Sequence, residues 1–409
     1  MLSTLSTTAQ WDSKVTSGVV YLQQQEYEKA ISYFKEALEH ESELKEKNAV
    51  KAYYNLADAL IRESKRQVSL QGENTDRKYA EYMFEATDAL IHARALPDEE
   101  GRFKKQIDIR VNTVFNSLLM SVVQLTNSAS SVSEIEKDKY LNEIIRICSS
   151  MILLKPDHYL GFDYRGQTQL SLSDTAKAHA DLLTAIQHYE KSAPNGPDAM
   201  AGYMYYRAAI IELYGYRNNK KALELLRTGI EKNHSDRILV ESSDKYSGED
   251  KRTTLGKFYD TSRDLKLFKL DLYLNSSGLT ASEMKEFEEG VNEFPKNINV
   301  QLAYAQLIQD EEPDKAILIY DKVLAAEPEN TTALFNAGVV FYNRAANLSK
   351  KLLAEANPSA EEQEQMNSWF RQAIPYFEKA YSLGEANSKK VLYTIANFLG
   401  EAELLQKYQ

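Results

Sequence analysis

The groups in this sequence that could do chemistry are one thiol, six imidazoles and several paired carboxylates. A nucleophilic thiol needs an accessible, electropositive setting that stabilises its thiolate. Cys148 instead shares a helical face with Ile144, Ile145, Met151 and Ile152, which predicts a core thiol. A single cysteine makes neither an internal disulfide nor a thiolate zinc cluster. The histidines show no HExxH or similar ligand spacing. His158 follows Pro156-Asp157 in a turn, and His179 and His188 are too far apart along one helix to share a ligand. The pairs Glu99-Glu100, Glu311-Glu312 and Glu361-Glu362 stand beside proline or at helix starts, where carboxylates favour the positive end of the helix dipole. No GxxxxGK(S/T) loop cradles a phosphate and no GxSxG elbow presents a serine. The expectation is no catalytic residue, no metal site and no cofactor.

Composition narrows the partners as well. The chain has 49 basic and 60 acidic residues, net −11, and lacks the dense Lys/Arg run that phosphate neutralisation requires. Nucleic acid is therefore not an expected partner. No apolar run approaches the ~20 residues that span a bilayer, so no transmembrane segment is expected. Sixteen Gly and nine Pro are too few for a sheet protein with frequent tight turns, while 43% hydrophobic residues suffice for a continuous helical core. The 26 Tyr suit both helix packing and a wet recognition surface. Residues 1–10 have neither a basic nor an apolar region, and are expected to be a flexible tail or the remnant of a signal peptide. The location would be cytoplasmic if the sequence is complete, and periplasmic or cell-envelope if a signal peptide has been removed.

The elements that position any recognition residue come from an internal repeat. Tyr21, Ala30, Phe34 and Ala37 follow Gly18 by three, twelve, sixteen and nineteen positions. Gly166, Ala178, Leu182 and Ala185 repeat the last three intervals, as do Tyr304, Ala316, Tyr320 and Val323, with Pro328 beyond them. Gly338 opens a further unit whose second half is Ala373, Phe377 and Ala380. Weaker copies are Ala222-Leu226-Gly229, Phe287-Gly290-Pro295, Ile144-Cys148-Met151-Pro156, and Leu56-Ala57-Leu60 completed by Ala86, Leu90 and Ala93. That makes about eight units. These residues resemble the tetratricopeptide repeat family over nearly the whole chain, and bacterial multi-repeat adaptor or envelope proteins within it. The resemblance implies an all-α fold, a right-handed superhelical solenoid of antiparallel helix pairs.

The expected organisation is a tail at 1–10, an N-terminal lobe of about five helix pairs at 11–233, a linker at 234–257, and a C-terminal lobe of about three pairs plus capping helices at 258–409. Arg62–Tyr79 is expected to separate two helices, with Gly72 and Asn74 marking a loop. Asn343–Gln372 is expected to hold lengthened helices broken at Asn357-Pro358. In this family the first helices of the pairs line a groove. The carboxylate-gripping subtype needs Lys and Asn at slots that here hold Val15 and Val19, Tyr54 and Asp58, Gln301 and Ala305, or Phe335 and Val339, so that partner class does not carry over. Asn55, Asn116 and Asn336 share one equivalent slot, where a carboxamide both donates and accepts toward a peptide backbone. Tyr54, Tyr206, Phe335 and Tyr342 are candidate anchors, and Arg165 and Arg207 candidate charges. The resemblance implies a non-enzymatic scaffold that binds a partner peptide or protein in the groove. The alternative is a structural subunit of a larger bacterial cell-envelope assembly. A second copy of the chain is also compatible as a partner.

Overall fold

Each pair of helices forms because apolar residues recur near a 3.6-residue period and a short connection sends the chain back. The computed structural model describes residues 2–70, 75–98, 101–191, 197–274, 278–354 and 359–409. In the first pair, α1 (Leu2–Gln23) and α2 (Tyr27–Leu38) are joined by a turn in which Gln25 has φ +63°. Trp11 stacks on His40, Lys14 pairs with Glu36, and Gly18 lies against Phe34, so the two helices run antiparallel. A Cβ at Gly18 would stand 2.7 Å from the Phe34 ring. The Gly18–Phe34 spacing is thus a close approach of two helices.

Among the described residues the chain is eighteen α-helices with short 3₁₀ and π turns and no strand. It divides into two compact units, Met1–Thr261 and Ser262–Gln409. The first unit continues with the pairs α3 (Glu46–Leu70) and α4 (Thr75–Ala95), α5 (Lys104–Ala129) and α6 (Glu134–Leu154), and α7 (Tyr159–Ser171) and α8 (Thr175–Lys191). Its fifth pair is α9 (Gly202–Ile210) and α10 (Asn219–Ser242). The unit ends within α11 (Gly248–Leu274).

In the second unit the end of α11 packs on α12 (Ala281–Glu293), where Leu270 fills the space beside Gly290. The pairs α13 (Ile298–Ile308) with α14 (Pro313–Ala326), and α15 (Thr331–Ala354) with α16 (Ala360–Ser382), follow. The last two helices are α17 (Asn387–Leu399) and α18 (Ala402–Tyr408). At Gly338 a Cβ would meet the Phe377 ring at 2.9 Å, the same device as at Gly18 across a longer interval. Pro156, Pro295 and Pro328 each stand two residues beyond the end of a second helix, where proline stops helical continuation.

Three sequence expectations change. Residues 2–10, expected as a flexible tail or the remnant of a signal peptide, are the opening turns of α1. Most of Arg62–Tyr79, expected as a separator, is helix, because Arg66 and Gln67 bond the buried Glu63 carboxylate and let α3 continue. The expected linker at 234–257 is the end of α10, an exposed turn at 243–247 and the start of α11. Its helices are anchored: Val240 and Phe258 are buried with Ala199, and Thr261 Oγ1 donates to the Ala199 carbonyl at 2.9 Å. Buried polar residues hide this stripe from the sequence. Asn233 and Asp236 occupy core positions, and Asp236 accepts from Tyr189 and Lys232, both at 2.7 Å. Gly72, Asn74, Glu99, Glu100, Asn357 and Pro358 lie outside the described residues.

Candidate functional site

In the first unit α1, α3 and α5 lie side by side, so their outward stripes make one surface. On α5 the core takes Ile107, Val111, Val114, Leu118 and Val122. A second stripe at helical spacing, Ile109, Thr113, Asn116, Met120 and Val123, faces outward. Met120 is 66% exposed, Ile109 54% and Val123 43%, which leaves apolar surface uncovered among the described residues. Arg110 joins this helix to α3. Its guanidinium lies 4.9 Å from the Tyr54 ring and 3.5 Å from Asp58. Arg62 holds the same carboxylate at 3.1 Å.

The same link recurs between α7 and α9, where Arg207 reaches Asp163 at 3.2 Å. Burial pushes the Asp163 carboxyl up, against the pull of Arg207. Arg165 grips Asp181 of α8 through two bonds, at 2.7 and 2.8 Å, and reaches Ser149 of α6 at 3.3 Å. Beneath them, Tyr189 bonds Asp236, Tyr205 bonds Glu190 at 3.0 Å, and Tyr159 bonds Asp198. Burial pushes all three phenols up. Cys148 is fully buried beside this layer, and burial pushes its thiol up.

The sequence-predicted residues fall in different places. Asn55 is buried and donates to the Lys51 carbonyl of its own helix at 2.8 Å, so it bonds within the repeat. Asn116 is exposed in the apolar stripe of α5. Asn336 belongs to the second unit, where its side chain bonds Tyr320. Tyr54 is half-buried under Arg110, and Tyr206 is half-buried with its ring edge-on to Tyr203. Phe335 and Tyr342, also in the second unit, pack edge-on against Phe377 and Phe370 in its core. Arg165 and Arg207 have carboxylate partners within the array. The surface is therefore centred on α3 and α5, with Asn116 and Tyr54 the predicted residues that stand on it. Ile109, Arg110, Met120 and Val123 were missed. Their signal was a second apolar stripe on a helix whose core stripe was already complete.

No described helix is long and apolar enough to cross a membrane. The sequence profile of the tetratricopeptide repeat family matches residues 16–66, which include α2 and parts of α1 and α3. Among curated proteins none matches the sequence. Similar solved structures include YrrB, described as "a TPR protein with an unusual peptide-binding site", at 13% identity over 58% of this chain and 93% of that one, with a TM-score of 0.34. Another is Acl4, an assembly chaperone of RpL4, at 10% identity over 70% and 99%, with a TM-score of 0.39. Yeast Tom70 is similar at 15% identity over 97% and 96%, with a TM-score of 0.23. Likenesses this slight carry no argument about a site.

Proposed function

We propose that this chain, whose residues 16–66 match the tetratricopeptide repeat profile, is a non-enzymatic scaffold that docks a segment of a partner protein on the outward face of α3 and α5. The observation that supports this most is the Ile109–Met120–Val123 stripe, exposed beside a polar rim of Tyr54, Arg110 and Asn116. An apolar centre with a polar and aromatic rim is the composition of a recognition patch. Asn116 adds a carboxamide that can donate to and accept from a peptide backbone.

The test pans short displayed random peptides against the full chain and compares selected binders on wild type and on Ile109→Asp/Met120→Asp. Both changes are at exposed helix sites, so helicity by circular dichroism should hold. Binding should weaken about tenfold or more, since covering such anchors is worth over ~1 kcal/mol each. Equal affinity for both proteins would move the docking site off this face. A structural subunit of a larger cell-envelope assembly is the second reading. It would draw on exposed apolar residues of the second unit, such as Leu318 (62% exposed), and would be insensitive to α5.

A further inference from the structure

The charges beside the apolar stripe indicate what kind of segment it receives. Along α3, Lys47, Lys51, Tyr54, Asp58, Arg62 and Lys65 recur at helical spacing and form its outward stripe, while Leu56 and Leu60 point into the core. Asp58 is the one carboxylate of this stripe, and Arg62 and Arg110 both hold it. Among the described residues, no carboxylate pairs with Lys47, Lys51 or Lys65. On α5, Lys105 stands one turn before Ile109 and is likewise unpaired there. Arg110 touches Tyr54 and Asp58, so the cationic stripe of α3 runs alongside the apolar stripe of α5. In a chain of net charge −11, this local cationic excess has no internal purpose that the contacts reveal.

We propose that the docked segment is acidic, with carboxylates that meet Lys47, Lys51, Arg62 and Lys65 and apolar side chains that cover Ile109, Met120 and Val123. This rests on the docking face proposed above. Opposite charge steers such a segment to the surface and sets its register. Apolar cover then excludes water from the rim and strengthens the ion pairs. A nucleic acid would engage the cations and leave the apolar stripe wet, so a polypeptide is favoured.

The test uses the same display selection against the full chain at about 0.1 M salt. Enriched peptides should carry Asp and Glu interleaved with Leu, Ile, Phe or Met. Lys47→Glu/Lys51→Glu/Lys65→Glu should bind them about tenfold or more weaker at unchanged helicity, and the difference should shrink at about 0.5 M salt. Neutral or basic binders that the triple variant still holds, but Ile109→Asp/Met120→Asp loses, would overturn the acidic inference and leave the docking face standing. Binders that neither variant affects, or an absence of enrichment, would overturn both. Tighter binding of poly(U) RNA than of any selected peptide would overturn the inference in favour of nucleic acid.

Discussion

His158 closes the N-terminus of α7 by accepting from the Leu160 N–H, and its ring packs between Phe115 and Tyr159. Burial, with Lys155 beside it, lowers its pKa from an ordinary 6.5 to about 4. The fold therefore favours the neutral ring, and the unfolded chain binds the proton first. Stability should be unaffected above pH 6.5 and should fall as pH drops from there toward 4. The loss is on the order of 1–2 kcal/mol once solvent screening of a partly buried group is allowed for. His158→Asn keeps a capping acceptor and removes the titration. Thermal midpoints of the variant should flatten across that window, and an unchanged slope would assign the pH dependence to other groups. Cys148 gives a second check. Fully buried and held as a thiol, it should resist a disulfide-exchange reagent in the native chain and react once the chain is unfolded. Both residues were legible at the level of role, as a turn histidine and a core thiol. Their neighbours across repeats were not, because Phe115 and Arg165 come from other helices.

Helix packing explains which expectations held and which shifted. The Gly18–Phe34 contact is readable because a small residue facing a ring leaves an interval that recurs along the sequence, whereas Gly338–Phe377 keeps the residue types across a longer interval. Gly338→Leu should lower the thermal midpoint by an amount corresponding to about 1–3 kcal/mol, since the added side chain meets the Phe377 ring. A neutral result would mean that α15 and α16 can separate freely. The segment 234–257 was not readable as helix because polar residues, Asn233 and Asp236, fill core positions, Asp236 through hydrogen bonds to Tyr189 and Lys232. Its exposed turn at 243–247 should be the early tryptic site, at Lys245, in preference to Arg237, Lys251, Arg252 and Lys257 within helices. First cleavage at those helical sites would contradict the anchoring of α10 and α11 through Val240 and Phe258. The asparagine row shows the opposite limit. Equal slots in three repeats gave three environments, one buried, one exposed and one bonded to Tyr320, because exposure depends on what the neighbouring helix supplies.

At the scale of the molecule, two compact units carry helix pairs of one kind, and the proposed docking face belongs to the first. Family resemblance and repeat spacing identify such an array but leave its surface undetermined, since the outward stripe is what remains after packing is satisfied. The central claim is that this stripe on α5 receives the partner segment. Eight methionines provide the most direct test, by methyl NMR of the full chain labelled at Met. Met120 is exposed within the stripe, Met200 is 51% exposed elsewhere in the same unit, and Met151 and Met204 are buried. Titration with a display-selected peptide should shift or broaden the Met120 methyl resonance and leave Met200, Met151 and Met204 in place. A shift at Met200 or Met284 with Met120 unmoved would contradict the account.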